Sequence, residues 1–245
     1  MPHTTKANMK DTPIFIISKD RFTTLKAQVE HYQKRGYNNI TIVDNLSTYP
    51  PLLEWYKTCG VTVFVNTITK PINHAMWALA VDLKVPQFHD VMANNWYVFN
   101  DSDVVPVDEA PDDFVDQMIE IAEKYKMRKV GCALKLDDLP AHFHRRQEII
   151  NWEARFWSVP IRDEKAMLYR AEIDSTFGVC RPGTWPGWSE VHETLRVDMP
   201  FAARHIPWYY DYDNLPEDEK YYLEHLEANM GPVWSWKVKH DIIKK

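Results

Sequence analysis

The chain has 245 residues, of which 45% are hydrophobic and 26% charged, and a net charge of −6. That length and balance suit one α/β domain with a sizeable core and argue against disorder. The acidic surplus argues against nucleic acid as a partner, since a general nucleic-acid binder needs a net basic footprint. Cys59, Cys132 and Cys180 are scattered, without zinc or redox spacing, and are expected to stay reduced in a cytoplasmic setting. Met1 to Thr12 is polar, with no apolar signal-peptide core, and no apolar run is long enough for an integral membrane segment. Only seven glycines among 245 residues disfavour glycine-rich phosphate loops.

Pro13-Ile14-Phe15-Ile16-Ile17-Ser18 is a short, continuous apolar run, the pattern of a strand covered on both faces. A helix follows, with Phe22, Leu25, Val29 and Tyr32 on one side and Gly36 after its end. Asn39 to Asp44 is a second strand, rich in β-branched residues. Pro50 and Pro51 open a helix over Leu52 to Thr58, Gly60 closes it, and Val61 to Val65 is a third strand. A helix through Ala75 to Ala80 comes next, then a loop around Pro86, then a strand over Trp96 to Asp103. This alternation implies right-handed βαβ units and a mainly parallel, Rossmann-like sheet. The segment after the first strand, Ser18 to Thr23, lacks the glycines of a dinucleotide fingerprint, and there is no Walker loop.

Beyond the fourth strand, Pro111-Asp112 caps an amphipathic helix carrying Phe114, Met118, Ile121, Ala122 and Tyr125, and Val130 to Leu134 reads as a fifth strand. The rhythm then changes. Pro140 to Arg146 is a polar loop, Ile149 to Trp157 a helix, and Leu168 to Cys180 an extended region. The last sixty or so residues are aromatic-rich, with turn signals at Pro182-Gly183 and Pro186-Gly187. No repeat or low-complexity linker divides the chain. It reads as a single domain, 1–245, with a nucleotide-type half over about 12–106 and a second half, 107–245, that completes the sheet.

The chemistry concentrates at Asn100-Asp101-Ser102-Asp103. In a pleated strand Asp101 and Asp103 would share a face, at the carboxyl end where open α/β sheets bind ligands. Two hard carboxylates there suit Mg2+ or Mn2+, which also accept diphosphate oxygens. The competing reading is a solvated acidic turn. A second Asp-x-Asp, Asp211-Tyr212-Asp213, precedes Asn214-Leu215-Pro216 and reads as a surface loop.

Three segments together resemble the GT-A glycosyltransferases, especially small family-2-like bacterial and viral members: Phe15 to Arg21, Val43 to Thr48, and Asn100 to Asp103. The resemblance covers about the first 135 residues. It implies a GT-A fold in which Ser18, Lys19, Arg21, Asp44 and Asn45 clasp a nucleoside-diphosphate sugar, with UDP-sugars favoured. Asp101 and Ser102 would reach the diphosphate, and Asp101 and Asp103 would hold Mn2+ or Mg2+ as the DxD motif. Asp44 has an equal alternative as the cap of the next turn, and Lys19 and Arg21 as a solvated loop. The resemblance also suggests a later histidine as a metal ligand; His205, before Ile206-Pro207-Trp208, is the candidate, with His192 and the pair His142 and His144 as weaker ones.

A glycan hydroxyl acceptor would need a general base. Asp174, within Tyr169 to Phe177, is the first candidate, because an unpaired carboxylate in an extended, partly apolar segment needs a reason. Glu153, among Trp152, Phe156 and Trp157, is the second, since apolar neighbours raise a carboxylate pKa toward the working range. Trp185, Trp188, Trp208, Trp234 and Trp236 can stack on sugars or simply pack. The expected activity is metal-dependent transfer of a sugar to a glycan. The alternatives are a sugar-nucleotide pyrophosphorylase, which the missing glycine-rich segment disfavours, and a non-catalytic carbohydrate binder.

Overall fold

The computed structural model describes residues 9–68, 75–143, 145–173, 176–186 and 191–226. In chain order the first half holds β1 (Ile14–Ser18), α1 (Phe22–Lys34), β2 (Ile40–Asp44), α2 (Pro50–Tyr56) and β3 (Thr62–Val65). Then come α3 (Ala75–Trp77), which widens into a π-helical turn over Ala78–Asp82, α4 (Pro86–Asn94) and β4 (Tyr97–Asp101). The second half holds β5 (Val104–Pro106), α5 (Phe114–Lys124), β6 (Lys129–Cys132), α6 (Arg146–Glu153), β7 (Pro160–Arg162), β8 (Met167–Tyr169), β9 (Phe177–Cys180), β10 (Thr194–Val197), β11 (Ala203–His205) and α7 (Glu217–His225).

The strands form one nine-stranded sheet, in the order β3-β2-β1-β4-β9-β6-β10-β8-β7, and a small ribbon of β5 with β11. The four strands of the first half are parallel, as the βαβ rhythm requires. In the second half the sheet is mixed: β6 and β10 are parallel, but other pairings are not. There β9 runs antiparallel to both β4 and β6, and β8 antiparallel to β10 and β7. Antiparallel neighbours need no helical crossover, which is why the strand–helix rhythm disappears beyond residue 134.

β1 shows why the sheet is covered on both sides. Successive side chains alternate faces. Ile14 and Ile16 enter a core with Leu25, Val29 and Tyr32 of α1 and Phe114 and Met118 of α5. Phe15 and Ile17 enter a second core with Met76, Leu79, Phe88 and Met92. Both clusters are closed to solvent, so β1 is apolar at every position up to Ser18. In β6, a Cβ on Gly131 would collide with the Phe177 carbonyl of β9, so only glycine lets these strands approach as they do.

Several boundaries differ from the sequence expectation. The segment around Pro86 is a helix, not a loop: Pro86 at its first turn has the φ a helix needs, and Phe88 and Met92, four apart, face the core. Lys84, with φ of 49°, ends the preceding helix. The expected helix over 149–157 starts earlier, at Arg146, and tightens into a 3-10 turn over Ala154–Trp157. The extended region over 168–180 is two separate strands on opposite sides of β6 and β10.

A buried polar pin ties α1 to the chain that leads into α5. Arg35 donates to the carbonyls of Asp108 and Ala110, and its Nη1 lies 3.2 Å from His31 Nδ1. Burial, and then the Arg35 charge, push the His31 imidazole down to about 4 from an ordinary 6.5. The unfolded chain therefore takes up a proton below pH 6.5 that the folded chain refuses until about pH 4. Stability must fall as pH drops through that window. His31→Gln should flatten the fall, with the two proteins diverging by on the order of 2–3 kcal/mol between pH 7 and 4.5 in urea unfolding. Parallel curves would show that His31 ionises freely in the fold.

Candidate functional site

The chain winds outward from β1 through β2 to β3, then returns to the other side of β1 as β4. Because β1, β2 and β4 are parallel, the loops that leave them gather at one edge of the sheet, the carboxyl edge where open α/β folds have their ligand crevice. Three of the predicted segments meet along this edge: Ser18–Arg21 after β1, Asp44–Asn45 after β2, and Asp101–Asp103 after β4. Backbone bonds knit them, Asn45 N–H to Ser18 O at 2.9 Å and Ser102 N–H to Ile17 O at 3.0 Å.

The first two loops are held by their own carboxylates. Asp20, with φ of 55°, accepts hydrogen bonds from the Thr48 and Tyr49 amides, while its own amide donates to Ser47 Oγ. Asp44 accepts from the Ser47 amide, the Ser47 hydroxyl and Tyr56 Oη. Burial, and then the charge of Asp44, push the Tyr56 phenol well up, so it remains a donor. With three donors on a buried carboxylate, Asp44 fills its alternative role as a local cap. Asn45 is different. Its Oδ1 accepts from Asn66 Nδ2 at 2.8 Å, and its Nδ2 is a buried donor without a partner. Lys19 reaches the Asn45 carbonyl at 3.4 Å and is half-buried.

The acidic segment is not one strand from 96 to 103, so the same-face argument for Asp101 and Asp103 does not hold. β4 ends at Asp101, and Ser102-Asp103 form a turn that carries the chain out of the main sheet into β5. Buried amides enforce the turn: Gln28 Nε2 donates to the carbonyls of both Asp101 and Val104, and Asn100 Nδ2 donates to Val104 O. Asp101 is consequently half-buried while Asp103 is 5% exposed. Having left the sheet, β5 pairs with β11 in a register that sets His205 opposite Val104. The Ile206 amide donates to Asp103 O, and His205 Nε2 lies 3.4 Å from Asp103 Oδ2. The His205 ring packs on Trp208, with centroids 4.6 Å apart. His205 is thus brought to the acidic turn, whereas His192 belongs to a separate 3-10 turn before β10 and His142 is exposed.

Arg21 is drawn inward, not held in a solvated loop. Its Nη1 pairs with Asp103 Oδ2, and its Nε and Nη2 bind Glu219 Oε2 and Oε1 at 3.0 and 3.1 Å. The Tyr222 ring covers the guanidinium carbon at 4.1 Å. Beside it, Asp218 accepts from the Thr23 amide at 2.6 Å and the Thr23 hydroxyl at 2.9 Å, capping the start of α1 from a distant segment. Glu219, Asp218 and Tyr222 all lie on α7, which sequence reasoning missed; the start signal was Pro216 followed by Glu217-Asp218-Glu219. Burial works against ionisation of Asp103, but Arg21 and then His205 outweigh it and hold this carboxyl well below the usual range. Glu219 is pushed the other way: burial raises it, Arg21 offsets part of that, and the negative charges of Asp103 and Asp218 add to the rise.

Two predicted catalytic carboxylates remain. Glu153, 3% exposed, is paired with Arg196 at 2.9 Å, and Arg196 in turn stacks on Phe156 at 3.8 Å. That is an ion pair inside the second half, distinct from the crevice cluster. Asp174 lies outside the described residues, as do His144, Trp188, Trp234 and Trp236. Thr176, two residues on, accepts the Asp101 amide at 3.2 Å, because antiparallel β9 enters the sheet where β4 leaves it. The second Asp-x-Asp is an exposed turn in which Asp211 caps Asp213 and Asn214. Among the described residues no helix is long and apolar enough to cross a membrane. Nor does any group of three or more His, Cys, Asp or Glu there gather into a metal site by itself.

No protein-family model matches the chain, and no curated protein is significantly similar to it. The crevice itself yields a stability test. Arg21→Met keeps the side-chain stem but leaves Asp103 and Glu219 facing each other without a cation. Loss of one partner of a buried ion pair costs about 3–5 kcal/mol, to be read as a lowered denaturation midpoint. A loss below about 1 kcal/mol, typical of an exposed pair, would show that the cluster is hydrated.

Proposed function

We propose that the chain is a glycosyltransferase of the GT-A type, moving a sugar from a nucleoside diphosphate, UDP favoured, to a glycan hydroxyl. The observation that supports this reading is the meeting of Asp103 and His205, from distant segments, at the crevice where the loops after β1, β2 and β4 converge. A carboxylate oxygen and an imidazole nitrogen 3.4 Å apart suit neighbouring positions on one small ion. Such ions commonly take one or two protein groups and complete their shell with phosphate oxygens and water. The donor pair therefore fits Mn2+ or Mg2+, with imidazole favouring Mn2+. When bound, the ion would neutralise charge developing on the leaving diphosphate.

The protein's own groups divide the remaining work. Asn45 Nδ2, buried and unpartnered, is the donor for the base or ribose. Lys19 supplies positive charge for the diphosphate from the rim of the same loop. Asp20 and Asp44 keep that loop in shape. Asp174 takes the proton of the acceptor hydroxyl as its oxygen attacks the anomeric carbon. The bond from that carbon to the diphosphate breaks, and its electron pair leaves with the diphosphate. Glu153 is the weaker base because its charge is held by Arg196.

Thermal unfolding with UDP-, GDP- and dTDP-sugars, with and without Mn2+, tests the donor. A ligand at a hundredfold its Kd stabilises the native state by about 2.7 kcal/mol, so the correct nucleotide should raise Tm by several degrees only when Mn2+ is present. Asp103→Asn should abolish the metal-dependent part. Asp174→Asn should keep the shift and lose transfer by a hundredfold or more. A protein whose Tm ignores every nucleotide sugar is not this enzyme.

A further inference from the structure

Asp103 Oδ2 is approached by two groups at once, Arg21 Nη1 and His205 Nε2. For a divalent cation the guanidinium is a competitor, since it already neutralises the carboxylate. A guanidinium left alone with a carboxylate turns two parallel N–H groups onto it. Arg21 does not do this at Asp103. Its Nε and Nη2 edge faces Glu219, Tyr222 covers its plane, and Nη1 is the group that meets Asp103. All three residues are buried, at 5% exposure for Arg21 and Asp103 and 3% for Glu219.

We propose that Glu219 is a positioning residue. By holding one edge of Arg21, it keeps the guanidinium from closing fully on Asp103 and so leaves that carboxylate able to take a divalent cation. The inference rests on the reading of Asp103 and His205 as cation ligands, and it adds a partner on α7 whose part is to occupy the competitor. When a cation arrives at Asp103, Arg21 keeps a full bidentate partner in Glu219, so no buried cation is stranded. Without the Glu219 charge, the anion left beside Arg21 among the described residues is Asp103, and the guanidinium closes on it.

Mn2+ titration of the full-length protein, followed by the electron paramagnetic resonance signal of free Mn2+, tests this directly. Glu219→Gln, nearly the same shape, should weaken Mn2+ binding at least tenfold. The double variant Arg21→Gln with Glu219→Gln removes the competitor together with its holder and should recover wild-type affinity or exceed it. Asp218→Asn removes a charge from the same helix and loosens the same docking contact without touching Arg21, and should change affinity by no more than twofold. Thermal melts of each variant confirm that it is folded at the titration temperature. Unchanged affinity in Glu219→Gln overturns the proposal. So does a double variant as weak as the single one, because Glu219 would then act as charge alone. An equal loss in Asp218→Asn also overturns it, since helix docking alone would explain the effect. A wild-type protein that binds no Mn2+ with or without UDP overturns the metal reading beneath it, an outcome distinct from these.

Discussion

The buried guanidinium of Arg21 is the constraint around which the ligand edge of this protein is arranged. It lies just past β1, the strand with the most complete apolar cover, where a charge can be kept only if it is matched by other charges. Asp103 supplies one match from the turn after β4, and Glu219 supplies two oxygens from α7. Three segments that are far apart in the chain are thereby brought to a single point. Because the partners must be charged and the geometry bidentate, few other arrangements of these segments would satisfy it.

The same need for matched polar groups explains the geometry around the cluster. The turn that aims Asp103 inward depends on Gln28 and Asn100, whose buried amides take the carbonyls a departing strand would otherwise orphan. The loop after β2 depends on Asp20 and Asp44, which satisfy its amides from inside. Asn45 Nδ2 and Ser18 Oγ, in the same pair of loops, are buried without a partner among the described residues.

The proposed glycosyl transfer draws on a division among the carboxylates. Carboxylates that hold loops, Asp20 and Asp44, are closed off by their own hydrogen bonds. The carboxylate that faces His205 is shared between an internal cation and the crevice. α7 closes over the site from the second half, with the Tyr221 ring tilted against Tyr49 at 5.1 Å and its hydroxyl donating to Thr48 Oγ1. The edge is therefore lined by groups from both halves of the chain.

Much of this was legible in the residues alone. Local pattern decides whether a segment is a strand or helix, and the first-half order of β1, α1, β2, α2, β3 and β4 could be read from apolar runs and proline or glycine punctuation. So could the convergence of Ser18, Asp44 and Asp101, because a parallel βαβ sheet gathers its carboxyl ends on one edge. His205 was singled out by a resemblance, and only the β5–β11 register carries it to Asp103. What local pattern could not decide was pairing at long range. The antiparallel entry of β9, the turn that parts Asp101 from Asp103, the capture of Glu153 by Arg196 and the docking of α7 each depend on which distant group meets a buried charge or an unpaired amide. Apolar periodicity reports only that a residue is inside. Which partner makes it affordable to be charged there is a property of the assembled fold, and for Arg21 that partner lies almost two hundred residues away, |i−j| = 198 for Glu219.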